Sequence, residues 1–212
     1  MGEVNQGPGV FIDGHLLDGA KQWWKKIGGL WSFEPEIDEA IEYMVDGNYT
    51  MLGTYAHGSR LAIWLGAKRL STTKVLAAGK GKAKKRFVLM LNCYSFESDM
   101  TEALIGQHGC AITFKSTVAG LWGSDLIDKV LDGMLAEPNK PIYEIWLEKK
   151  RKWLSSFQPQ FQGNRTITYN DVLRPYITKE ELISAIIQYF NEDGVSSQDV
   201  YDLIYQHFNE RS

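Results

Sequence analysis

Two residues in this chain have the types and surroundings for nucleophilic catalysis: His57 and Cys93. Each closes an apolar run that reads as a buried strand. Tyr49-Thr50-Met51-Leu52-Gly53-Thr54-Tyr55-Ala56 leads into His57-Gly58, and Arg86-Phe87-Val88-Leu89-Met90-Leu91-Asn92 leads into Cys93. If these strands are parallel neighbours, their carboxyl ends lie side by side, where open α/β sheets place their chemistry. A thiol beside an imidazole is activated as a thiolate nucleophile. The imidazole takes the proton and later returns it to the leaving group. Gly58 follows the histidine, and a residue without a side chain lets a substrate carbonyl approach the main chain. The N–H groups of Gly58 and Cys93 are therefore the expected oxyanion donors. No third residue that would orient the imidazole is identifiable from the sequence. The combination points to a cysteine hydrolase.

The remaining chemistry-bearing residues read as structural. Cys110 opens the apolar run Cys110-Ala111-Ile112-Thr113-Phe114 and is expected to pack as a small hydrophobe. His15 lies in the turn Asp13-Gly14-His15 after a short first strand, His108 at a helix C-terminus that favours a cation, and His207 in the last helix. No Cys/His group has zinc spacing. Gly79-Lys80-Gly81-Lys82 has neither the spacing nor the context of a phosphate loop. Neither a metal nor an organic cofactor is expected.

The elements that must position the pair follow from periodicity and punctuation. Val10–Gly14 reads as a first strand, and Gly14 to Phe33 as irregular. A helix runs from Glu34-Pro35-Glu36 to about Val45, with Ile37, Ala40, Ile41 and Met44 at helical spacing. After the histidine, Leu61–Gly66 is an apolar hairpin arm or edge strand. Ser71–Ala78 is a short helix capped by Ser71 or Thr72. Lys80–Arg86 is the strongest charge run and reads as a solvated connection. Beyond Cys93, Glu97–Gln107 reads as a helix, Val118–Gly123 as a loop carrying Trp122, and Ser124-Asp125 as the cap of a helix to about Leu135. A further helix spans Ile142–Leu154, with Tyr143, Trp146 and Trp153 on one stripe. Strands alternating with helices imply a parallel or mostly parallel sheet. Ser155–Gly163 reads as a linker. Two helices follow, the first opened by the capping box Thr178-Lys179-Glu180-Glu181 and the second by Ser197-Gln198-Asp199-Val200. The expected division is an α/β domain over 1–157 and a mainly helical extension over 158–212.

Composition bounds the function. The chain has 212 residues, 44% of them hydrophobic, enough for a sizeable core without staples. A net charge of -3 argues against a general nucleic-acid binder. Two cysteines do not make a disulfide framework. The first residues show no signal peptide, and no run approaches the roughly 20 apolar residues that span a bilayer. A cytoplasmic protein that binds neither membrane nor nucleic acid is expected.

An apolar strand ending in His57-Gly58, followed by an apolar strand ending in Cys93, resembles the caspase-like cysteine peptidases. The matching pieces are Thr54-Tyr55-Ala56-His57-Gly58-Ser59, the hairpin Leu61–Gly66, and Val88-Leu89-Met90-Leu91-Asn92-Cys93-Tyr94-Ser95. The resemblance is to the CHAT branch and to the self-cleaving toxin and adhesin peptidases, over about Tyr49 to Leu135. Asn92 and Tyr94 depart from the usual company of the cysteine. The resemblance implies a mostly parallel sheet flanked by helices, here with a small C-terminal helical hairpin. It implies a cysteine endopeptidase with a His57–Cys93 dyad whose substrate is a protein or peptide, with self-cleavage left open. It also implies a pocket beside the dyad, for which Asp125, Trp122, Glu97 and Asp99 are the candidates, an acidic group there favouring a basic substrate residue. The C-terminal helices would serve a regulatory protein partner. The competing expectations are a non-catalytic α/β interaction module and a small-molecule or nucleotide hydrolase at the same crevice.

Overall fold

The computed structural model describes residues 8–17, 19–117, 120–150, 159–174 and 198. The chain divides into two compact units, Met1–Arg174 and Pro175–Ser212. The expected helical hairpin and His207 lie outside the described residues.

The first unit is a mostly parallel sheet between two helical layers. Its strands are β1 (Gly9–Asp13), β2 (Leu30–Phe33), β3 (Met51–Gly58), β4 (Ala62–Leu65), β5 (Lys68–Ser71), β6 (Lys85–Asn92), β7 (Ile105–Phe114) and β8 (Pro159–Gly163). They lie in the order β2-β1-β3-β6-β7-β8. All neighbours are parallel except β8, which runs antiparallel to β7. The β4–β5 hairpin hangs from the end of β3, where His57 pairs with Trp64 and Gly58 with Ile63. The helices are α1 (Ala20–Lys26), α2 (Ile37–Val45), α3 (Thr72–Gly79), α4 (Asp99–Leu104), α5 (Gly120–Ala136), α6 (Ile142–Lys150) and α7 (Tyr169–Leu173).

Alternation along the central strands divides the core. In β3, Met51 and Tyr55 face one side while Leu52 and Ala56 face the other. In β6, Phe87, Leu89 and Leu91 share the first side, and Val88 and Met90 the second. The first side packs on Trp24 of α1, on Leu126, Val130 and Met134 of α5, and on Ile145 and Trp146 of α6. The second packs on Ala40 and Met44 of α2, Val75 of α3, and Met100 and Leu104 of α4. Strands covered on both faces read as continuous apolar runs, which is why β3 and β6 stand out in the sequence.

The structure departs from the expectations in several places, each for a tertiary reason. The span taken as irregular, 14–33, contains α1 and edge strand β2, whose only strand neighbour among the described residues is β1. The helix expected over Glu97–Gln107 is shorter: a 3-10 turn at Ser95–Glu97, then α4, after which β7 begins at Ile105. The Trp122 loop and the Ser124-Asp125 cap are instead the first turns of α5, which starts at Gly120. The supposed linker contains β8, which closes the β7 edge. With α7 buried through Tyr169 and Val172, the sheet unit therefore reaches Arg174 rather than 157.

The charge run Lys80–Arg86 is also not simply a solvated connection. Lys85 is 1% exposed, and its ammonium donates to the carbonyls of Tyr43 (3.3 Å), Asp46 (2.5 Å) and Tyr49 (2.9 Å). The Lys84 ammonium donates to the carbonyls of Gly79 (3.1 Å) and Ala103 (2.6 Å). These two lysines satisfy open carbonyls at the C-terminal ends of α2, α3 and α4, where a cation also favours the helix dipole.

Candidate active site

The neighbouring parallel strands β3 and β6 run in register to Ala56 and Asn92. The next residues are His57-Gly58 on one strand and Cys93 beyond the other. Gly58 sits hard against the second tip: a Cβ at Gly58 would lie 2.8 Å from the Asn92 Cβ, 2.9 Å from the Cys93 carbonyl oxygen and 3.2 Å from the Cys93 nitrogen. Only glycine allows this approach, so the two main chains that carry the expected oxyanion donors abut. On the same face, Thr54 Oγ1 donates to Asn92 Oδ1 (2.5 Å), and Asn92 Nδ2 donates to the Ala56 carbonyl (3.1 Å). Asn92, unusual beside a catalytic cysteine in the resembling peptidases, here ties the two tips together.

Directly after Cys93 the chain turns sharply. Tyr94 adopts the left-handed conformation at φ 58, and its N–H donates to the Ser116 carbonyl (3.2 Å). For a non-glycine residue this conformation is uncommon and persists where surrounding structure holds it. Buried Ser95 does much of that holding. Its hydroxyl donates to the Met90 carbonyl (3.1 Å) and accepts from the Phe114 N–H (3.0 Å), while its carbonyl accepts from Thr101 Oγ1 (3.1 Å). Cys93 is thereby left half-buried at the apex of a fixed turn, and it is not disulfide-bonded. Cys110, also free of a disulfide, differs in its surroundings. It is fully buried in β7, and burial pushes its thiol far above the ordinary range.

His57 and Tyr55 share a face of β3, and one ring reports on both. The His15 ring lies edge-on to His57 with centroids 4.0 Å apart, and edge-on to Tyr55 at 6.4 Å. The Tyr55 phenol is pushed above its ordinary pKa by burial first, then by the Asp13 carboxylate and by charge on Cys93. Tyr55 thus stays protonated, a hydroxyl within electrostatic reach of the thiol. Rings of His15, Tyr55 and His57 and the Cys93 thiol gather over the carboxyl ends of β1, β3 and β6. The strand order reverses between β1 and β3, so this is a topological switch point of the sheet. Sequence reading took His15 as an ordinary turn residue. The signal was present, because Asp13-Gly14-His15 also ends an apolar strand beside a glycine.

The expected pocket residues are carried by three different elements. Asp125 lies within α5 and pairs with Lys129 at 2.5 Å, one helical turn on. Trp122 belongs to the first turn of the same helix. Glu97, in the turn after Cys93, pairs with Arg60. Asp99 is exposed in the first turn of α4. An open cleft of about 520 Å³ lined by Ser59, Arg60, Leu61 and Tyr94 adjoins the tips. Leu61 is 69% exposed. The loop that carries it is fixed, since the Leu61 carbonyl accepts from the Thr72 N–H (2.9 Å) and the Ala62 carbonyl from the Ser59 N–H (2.8 Å). Among the described residues no His/Cys/Asp/Glu group could hold a metal ion, and no helix is long and apolar enough to cross a membrane.

No protein-family model matches this chain, and no curated protein matches it in sequence. Its architecture does match solved structures. One is the crystal structure of the Arg-specific cysteine proteinase gingipain R, with a TM-score of 0.50 and 13% identity, covering 79% of this chain and 47% of that one. The fold is caspase-like. The chain spans about half the length of that proteinase. At so low an identity the likeness concerns the fold alone. Within the caspase-like fold, the tips of β3 and β6 and the turn after β1 are where this chain concentrates imidazole, phenol and thiol groups.

Proposed function

We propose that this protein is a cysteine endopeptidase working through a His57–Cys93 dyad. The observation that carries the reading is the contact between Gly58 and Cys93 at neighbouring parallel strand tips. In the proposed reaction, the Cys93 sulfur attacks the scissile carbonyl as His57 takes the thiol proton. The N–H groups of Gly58 and Cys93 stabilise the oxyanion. The intermediate collapses with C–N cleavage, and His57 gives its proton to the departing amine. Water, deprotonated by His57, then attacks the thioester. The acid is released, and the proton returns to the Cys93 sulfur.

The cleft beside the tips would receive a substrate side chain next to the scissile bond. The name of gingipain R specifies arginine, but this cleft is lined by Leu61 and Tyr94 and rimmed by Arg60, while the candidate acids Glu97 and Asp125 are already paired. We therefore favour an apolar side chain there. The likeness to CHAT and self-cleaving toxin domains adds the proposal that an effector or self-cleavage switches the activity on.

A peptide-library cleavage profile of the purified protein tests the reading. Cys93→Ala and His57→Ala are each expected to abolish turnover while the thermal unfolding midpoint is kept. Full turnover in both variants would overturn it.

A further inference from the structure

In a dyad the imidazole must be aimed at the sulfur, and a reacting group misplaced by about 1 Å loses roughly 100-fold in rate. His57 is solvent-exposed near the end of its strand, so its own backbone constrains its ring weakly. The turn after β1 supplies a constraint. Its centre is Asp13, fully buried at the carboxyl end of β1. One carboxylate oxygen accepts the His15 N–H (3.0 Å); the other accepts the Leu17 N–H (2.9 Å) and the Trp31 indole N–H (3.3 Å). The turn is thus wrapped around a buried charge whose bonds are made to the protein itself.

The flanking residues hold the same turn against β3 and its hairpin. The Gly14 N–H donates to the Tyr55 carbonyl (2.6 Å), and the Gly14 carbonyl accepts from the Gly66 N–H (3.2 Å). A Cβ at Gly14 would come within 2.8 Å of the Trp64 carbonyl oxygen and 3.1 Å of the Ala56 Cβ. Leu16 is held in the left-handed region at φ 53, although its side chain is 62% exposed and gains little by burial. Such a conformation costs on the order of 1–3 kcal/mol, and it marks a segment whose surroundings dictate its path. The outcome of this path is that the His15 ring stands edge-on to His57 at 4.0 Å.

We propose that His15 is a positioning residue for His57: a turn built on the buried Asp13 carboxylate presents the His15 ring, whose edge-on contact restricts the His57 imidazole to directions that reach Cys93. This rests on the dyad reading above. His15 acts through ring contact and moves no proton.

Iodoacetamide tests this on the intact chain without a known substrate. The thiolate sulfur forms a bond to the reagent's methylene carbon and iodide leaves, so the rate at Cys93, read by mass spectrometry, reports imidazole-assisted thiolate formation. His15→Ala is expected to slow Cys93 labelling roughly 10- to 100-fold, with the thermal midpoint unchanged because His15 is exposed. His15→Phe, which keeps a ring in place, is expected to restore most of the rate. Wild-type labelling in His15→Ala would overturn the inference, and so would His15→Phe as slow as His15→Ala, which would assign the role to the imidazole proton. His57→Ala separates the two levels. If it slows Cys93 labelling and His15→Ala does not, the inference alone fails. If His57→Ala leaves labelling unchanged, the dyad fails and the inference with it.

Discussion

Gly58 shows how little space the proposed chemistry leaves for variation. Its hydrogen-only side chain lets the tip of β3 close onto Asn92 and Cys93. Gly58→Ala must push those tips apart by several tenths of an ångström. Turnover is expected to fall at least about tenfold through misplaced oxyanion donors, with KM changing less than kcat; steady-state kinetics on a cleaved peptide would check this. The two cysteines make a matched internal comparison. Cys93 stands half-buried at the apex of a turn and Cys110 lies fully buried with its thiol pKa pushed upward, so Cys93 alone is expected to react in the native state. His15 was the least legible of these residues. Its sequence signature is similar to that of His57, a strand ending in a histidine beside a glycine, yet only the strand order brings it beside His57.

At the scale of elements, the decisive contacts join loops and helix ends to strand tips. Ser95 and Tyr94 hold the turn after β6, and Asp13 holds the turn after β1. The lysines of the 80–86 run serve helix ends. Burial lowers the Lys85 amine to about 8 from an ordinary 10.5, although the Asp46 charge opposes the shift. The unfolded chain therefore binds more protons than the folded one between about 8 and 10.5, and stability contributed by Lys85 rises with pH across that window. Lys85→Met leaves the carbonyls of Tyr43, Asp46 and Tyr49 without their donor. Urea unfolding is expected to show a loss of about 1–3 kcal/mol at neutral pH, and the gap to wild type should widen as pH rises from 8 to 10.5. A charge run in sequence carries no mark of which lysines point inward, because that depends on where three separate helices end.

For the molecule as a whole, the sheet unit closes only with the residues after 157. β8 pairs along Cys110–Phe114 of β7, and Ile167, Tyr169 and Val172 complete the core on the face of α5 and α6. A chain ending at Arg174 is expected to keep a cooperative thermal transition, whereas one ending at 157 exposes the β7 edge and should aggregate or melt broadly. Calorimetry of the two truncations decides this. The strand order also locates the crevice. β1 lies between β2 and β3, so the reversal falls at the tip that carries Asp13 and His15, with β3 between it and the strand that leads into Cys93.

The amino-acid sequence alone determined the apolar strands β1, β3 and β6 and their mostly parallel arrangement, and it supplied the proposal that His57 and Cys93, at adjoining strand tips, form the site. Strands buried on both faces must be continuously apolar, and polar residues that interrupt them at a carboxyl end stand out. The tertiary structure decided the rest: the β8 edge, the α5 start that carries Trp122 and Asp125 into a helix, the inward lysines, and the place of His15. Each of these depends on contacts between segments far apart in the chain. Local periodicity records which face of an element is buried, but not which distant partner buries it.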